Sequence, residues 1–228
     1  MCLVFVACNA HPDYPLIVVG NRDEFHRRAT ESLHWWPDRG ILAGRDSQGG
    51  GAWLGVPPAG RFATVTNYRE PDPPDPHARS RGHLVTGALA APDCAGFGEG
   101  LAQQGGHYSG FNLLSGRAGC ILYVSNRGDG PRELPDGLHG LSNGLLDSPW
   151  PKVLRVREAL EKLLDAGDSL TTTALLEPFM DTRQADSAWL PDTGVPRDWE
   201  QLLSSPFIIS PDYGTRASTV FLQRADDW

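Results

Sequence analysis

Two runs near the start of the chain, CLVFVAC (2–8) and LIVVG (16–20), most limit the folds open to it. Each is apolar at nearly every position, the pattern of a strand covered on both faces. The HPDYP segment between them (11–15) reads as a turn, because two prolines and an aspartate suit a chain reversal and not a ladder. A pair of doubly covered strands calls for layers above and below it. A chain of 228 residues is long enough to supply them.

The following segments extend the β reading. GGGAWLGV and RFATVTN flank PPAG, which predicts a hairpin, and FNLLSG and CILYVSN flank residues 117–119 in the same way. EPDPPDP (70–76) reads as a stiff exposed loop within one domain spanning 1–228. A helix is predicted from about Arg81 to Ala91. A longer one is predicted over DSPWPKVLRVREALEKLLDAG, with Ser148 as N-cap, Pro149 at the first helical position and Gly167 at the end. Shorter helices and loops fill 170–205, and PFIIS and STVFLQ read as closing strands. Strands at both ends of a helical middle fit an α+β or layered α/β architecture and not a regular βαβ alternation.

Charge and composition then exclude several classes. The formal net charge is -8, which is wrong for a nucleic-acid binder and gives no attraction to an anionic membrane. No apolar stretch approaches a membrane span, and the N-terminus lacks the basic region of a secretory signal. Cys2, Cys8, Cys94 and Cys120 have no metal-ligand spacing, and free thiols in a reducing, cytoplasmic setting are expected. The GFGEG stretch (96–100) lacks the spacing of a dinucleotide fingerprint and is assigned to a turn. GLSNG (140–144) matches G-x-S-x-G, but no histidine follows Ser142, so the triad order of an α/β-hydrolase is missing. The seven histidines are scattered and suggest no metal site, although a single axial haem ligand needs no motif.

The position of Cys2 carries more information. If Met1 is removed, one residue holds both a thiol and an α-amine that titrates near neutral pH, a nucleophile and its own base. The competing reading is a small apolar residue opening a buried strand. GNRDEF (20–25) sets charged residues directly after an apolar strand, where an Arg can lower a thiol pKa and an Asp can hold an ammonium. Read plainly, it is a solvated loop. Asn67 in VTNY and Asn143 in LSNG are amides of the type that serve oxyanions, or ordinary turn residues. Arg216, in YGTRAST, enters the last strand.

Together, Met1-Cys2, NRDEFHRR, ILAGRD, GGGAWLGV, GRFATVTNYREP, SRGHLV, GFNLL, LSNGLLDSPWPKV and YGTRASTV resemble the NRDE family, also called the transport and Golgi organisation protein 2 family. The resemblance runs through nearly the whole chain, with 170–205 matching poorly. It implies an α+β fold, the four-layer αββα sandwich of the N-terminal nucleophile hydrolases, and similarity to their cysteine enzymes that cleave linear amides. It places Cys2 as nucleophile, Arg22 and Asp23 at the Arg and Asp positions, Asn143 as oxyanion donor and Arg216 as the late Arg. Asn67 is a second oxyanion or substrate contact, and Glu24 is an alternative to Asp23. The implied partner is a small acyl or amide substrate, with no cofactor required. The family's links to haem and lipid homeostasis imply an alternative, a carrier of haem or an acyl lipid. Phe25, Trp35, Trp36 and Trp53 would then form its wall, with His26, His34 or Cys2 as iron ligand. HWW is as readily explained by core or rim packing.

Overall fold

The computed structural model describes residues 2–72, 75–166 and 170–224. Removal of Met1 and the helix end at Gly167 therefore lie outside the described residues, as do two prolines of the 70–76 loop. The fold is α+β, with two antiparallel sheets and helices packed on them. The chain divides into two compact units. One comprises the chain up to His26, Arg69–Asp72 and the chain from Asp136 on; the other comprises Arg27–Tyr68 and the stretch from Pro73 to Pro135.

The first unit holds a four-stranded sheet of β1 (Cys2–Cys8), β2 (Leu16–Phe25), β10 (Gly137–Leu141) and β11 (Tyr213–Gln223), in the order β10-β1-β2-β11. β1 is buried at every residue, as its unbroken apolar run predicts. Strand alternation gives the two faces different work. Leu3, Phe5, Ala7, Ile17 and Val19 face helix α3 (Pro151–Asp165) and form a core with its Val153, Val156 and Leu160. Burying each large apolar side chain there contributes roughly 1.5–3 kcal/mol. Gly140 of β10 is needed for this packing. A Cβ at that position would lie 2.7 Å from the Phe5 ring and 2.9 Å from Val153. Helices α4 (Thr172–Leu176) and α5 (Arg197–Leu202) complete the unit. The Phe179 ring, in a 3-10 turn over Glu177–Met180, meets Phe5 edge-on at 5.9 Å.

The second unit holds a seven-stranded sheet whose neighbours follow chain order. Its strands are β3 (Thr30–Trp36), β4 (Ile41–Asp46), β5 (Leu54–Val56), β6 (Phe62–Asn67), β7 (Phe111–Arg117), β8 (Cys120–Ser125) and β9 (Arg132–Glu133). Both expected hairpins are present, as β5–β6 and β7–β8. Helices α1 (Gly82–Ala90) and α2 (Cys94–Gln104) pack on this sheet through Leu84, Val85, Leu89 and Leu101.

Four sequence expectations need correction. GFGEG is not a turn but lies within α2, where the Asp93 carboxylate caps the helix by accepting from the Gly96 N–H at 2.6 Å. Gly98 is required there because a Cβ would stand 2.3 Å from the Leu122 side chain. β2 does not stop at Gly20; it runs through Asn-Arg-Asp-Glu to Phe25, paired throughout with β11. α3 begins at Pro151, with Trp150 and not Ser148 at its N-cap. PFIIS supplies only an isolated bridge, Ile209 with Gly214. All four cysteines are free thiols. Among the described residues, no helix is long and apolar enough to cross a membrane.

Candidate active site

The site is built at the end of the four-stranded sheet where β1 begins. Cys2 pairs with Arg22 across the β1–β2 ladder, so their side chains share a face. On the other flank, the β1–β10 register matches Val4 with Leu141. Ser142 and Asn143 follow directly on the end of β10. The Ser142 hydroxyl donates to the Cys2 carbonyl at 3.1 Å and lies 3.4 Å from Asn143 Oδ1. Asn143 is fully buried, and its carbonyl accepts from the Arg69 N–H at 2.7 Å.

Alternation sends Asn21 and Asp23 to the face that carries α3. Their partners confirm it. Asn21 donates to the carbonyls of Phe179 and Pro206 and accepts from Ser218, so it holds the backbone and is not open to a ligand. Asp23 is 1% exposed and accepts from the Thr215 hydroxyl at 2.6 Å. Glu24 is partly exposed, accepts from the Phe25 N–H at 2.9 Å and lies 3.8 Å from the Arg22 guanidinium.

The electrostatics follow from burial. Desolvation pushes the Cys2 thiol up, and the Asp23 carboxylate adds to that, while the Arg22 guanidinium and the Asp23 backbone N–H pull it back. Burial also raises the Asp23 carboxyl, opposed by the charge of Lys152, the Thr215 hydrogen bond and Arg22. Tyr213 is held well above its ordinary range by burial and by the negative charges of Asp23 and Cys2.

Arg216 is exposed at a bulge in β11 and donates to the carbonyls of Phe25 and His26 at 2.9 and 3.1 Å. It therefore fixes the end of β2. Asn67 is the last residue of β6, in the second unit, opposite Phe111. Of the HWW segment, Trp36 is buried and donates to the Ala43 carbonyl at 3.0 Å. Trp35 is exposed, and His34 Nδ1 bonds the Ser32 carbonyl at 2.8 Å. Trp36 is thus a core residue.

Three charged residues of this site escaped the sequence reading. Arg69 and Glu200 form an ion pair whose side chains are both 2% exposed. Arg69 lies over the Trp150 ring at 4.6 Å, and Glu200 accepts from the Thr193 hydroxyl at 2.5 Å. Lys152, the second residue of α3, is 1% exposed. Its one sequence signal is a cation in the first helical turn, where the helix dipole opposes it. Arg69 and Glu200 carry no comparable signal, because 131 residues separate them.

The loop from β10 to α3 is pinned by Asp147, which has φ 59° and accepts from the Gly140 N–H at 2.7 Å, from His139 and from Arg157. This loop fixes Asn143 at one end and Lys152 at the other. Together the unit presents a buried thiol, a carboxylate, an amide and several cations at one sheet end. Such a set can support nucleophilic attack and stabilise a developing oxyanion.

Known proteins resemble the chain along its length. The model of the Transport and Golgi organisation 2 family matches residues 1–227. The Transport and Golgi organization protein 2 homolog of Bos taurus is 34% identical over 248 residues, covering 99% of this chain and 90% of that protein. The Homo sapiens homolog is 32% identical over the same shares. Among solved structures, the Caenorhabditis elegans N-acylethanolamine-hydrolyzing acid amidase ortholog aligns with a TM-score of 0.44 at 9% identity, covering 78% of this chain and 85% of that one. On the family match and the two homologs, the chain belongs to the Transport and Golgi organisation 2 family.

Proposed function

We propose that this protein is an N-terminal cysteine hydrolase that cleaves a linear amide or related acyl bond of a small molecule. The observation that carries the reading is the grouping of Cys2, Arg22, Asp23 and Asn143 at one end of a single sheet. After removal of Met1, the Cys2 thiolate attacks the acyl carbonyl and the α-amine carries the thiol proton to the leaving amine. Water then hydrolyses the thioester. Asn143 is the oxyanion donor. Asp23 is the site acid in preference to Glu24, because Asp23 is fully buried and bonded to Thr215 while Glu24 is partly exposed beside Arg22. Arg22 supports the thiolate from across the ladder. Arg216 acts indirectly, through the end of β2. No cofactor is needed for these steps. Four free thiols accord with a reducing, cytoplasmic setting.

The test is turnover of a panel of N-acyl amides by the purified, untagged protein and its Cys2→Ala variant. Turnover that disappears in the variant supports the reading. Turnover unchanged in Cys2→Ala overturns it.

A further inference from the structure

The mechanism above leaves Lys152 unused. Its side chain is buried, and among the described residues Nζ has no hydrogen-bond partner. A buried ammonium without such partners is costly. The helix adds to the cost, since Lys152 is the second residue of α3 and faces the positive end of the dipole. A purely structural position would favour an apolar side chain of the same length. α3 is also held rigidly in place. Gly140 admits Val153, the neighbour of Lys152, against Phe5, and the Asp147 loop anchors the approach to the helix.

The surroundings of Lys152 are the proposed site. Its charge acts on the Asp23 carboxylate, on Cys2 and on Glu200, and is opposed by Arg69. Glu200 is already committed to Arg69, and Arg22 has Glu24 beside it. Asp23 has the Thr215 hydroxyl on one oxygen, and Lys152 is the strongest of the charges that favour its ionised form. Tyr213 also faces Asp23 and Cys2, but it stays neutral and supplies no charge.

We propose that Lys152 is a positioning residue of the Cys2 site, its ammonium offsetting the Asp23 carboxylate, whose charge opposes the Cys2 thiolate. This deepens the reading of Cys2 as nucleophile and rests on it. Arg22 supports the thiolate from its own face of the sheet, and Lys152 supports the charge on the α3 face. Burial lowers Lys152 to about 8, so it carries its charge at neutral pH and loses it not far above. Above that point, removing the thiol proton no longer creates a compensated pair.

The experiment follows alkylation of Cys2 by iodoacetamide from pH 6 to 10, with site-resolved mass spectrometry. Exposed Cys120 in the same molecule is the internal standard. The parent, Lys152→Met and Lys152→Arg are compared, with thermal melts to establish folding. The expected result is a Cys2 profile displaced upward by about one pH unit in Lys152→Met, roughly tenfold slower alkylation at pH 7, and recovery in Lys152→Arg. Cys120 stays unchanged. A Lys152→Met profile that superimposes on the parent overturns the proposal and leaves Cys2 as nucleophile standing. A parent Cys2 that alkylates no faster than Cys120 ends both. If Lys152→Met does not fold, Lys152→Gln takes its place.

Discussion

Cys2 stands directly across from Arg22 in the antiparallel ladder of β1 and β2. This register cannot slip by one residue without turning the apolar set Leu3, Phe5 and Ala7 away from α3. The core therefore fixes the partner of the thiol. Arg22→Met removes a charge that lowers the thiol pKa and leaves the ladder intact. Cys2 alkylation at pH 7 should slow by at least threefold, with the apolar core unaffected. An unchanged rate would show that Arg22 serves only Glu24.

Thr215 ties β11 to Asp23. Its hydroxyl donates to Asp23 and also accepts from the Ile208 N–H at 2.9 Å. Thr215→Val should cost about 1.5–3 kcal/mol for the bond to the carboxylate, plus about 1 kcal/mol for the second bond. The first part exists only while Asp23 is ionised. Since the Thr215 bond lowers the Asp23 pKa, its contribution is present at high pH and lost as pH falls through the folded pKa of Asp23. Urea denaturation of parent and variant should show a gap that narrows on acidification. A pH-independent gap would contradict this.

The buried Arg69–Glu200 pair is asymmetric in what its loss would do. Arg69→Met leaves Glu200 buried with only Thr193 as partner and should destabilise the protein by about 3–5 kcal/mol. Arg69→Met combined with Glu200→Gln should recover most of that. Thermal melts of the two single variants and the double variant measure the coupling. Additive losses would show that the pair contributes nothing as a pair.

Lys152 makes its own signature in stability against pH. Its pKa falls from 10.5 in the unfolded chain to about 8 in the fold. Between those values the unfolded state holds more protons, so this group makes the fold gain stability as pH rises. The shift corresponds to about 3 kcal/mol. The raised Cys2 thiol acts in the opposite direction above its ordinary value of 9.0, and comparison with Lys152→Met largely removes that contribution. From pH 7 to 11, the parent should gain about 3 kcal/mol on Lys152→Met in denaturant unfolding. A constant difference would mean that the buried amine titrates normally.

The sheets were legible because their signals are local. An unbroken apolar run marks β1, and glycine- and proline-containing turns mark the two hairpins. The end of β2 was hidden for the opposite reason. Asn21, Arg22, Asp23 and Glu24 look like a loop, and only the partners supplied by β11 and the Phe179 turn make them a buried strand. The glycines of α2 misled because helix propensity was outweighed by close packing of Gly98 on Leu122. In the site, Cys2 was visible from its place at the head of β1, and Arg22, Asp23 and Asn143 as residue types following apolar strands. Arg69, Lys152 and Glu200 were not. Their significance arises from burial together, and the sequence places them in a loop, a helix and a poorly matched segment.

The central claim is that Cys2 is an activated nucleophile, and intact mass tests it most directly. Protein expressed without an N-terminal tag is weighed before and after brief treatment with an alkylating agent at neutral pH. The account predicts loss of Met1, which sets the α-amine beside the thiol as its base and offsets the upward push of burial, and one fast-reacting thiol that maps to Cys2, ahead of Cys94 and exposed Cys120. Retained Met1, or a Cys2 that reacts no faster than Cys120, would contradict it.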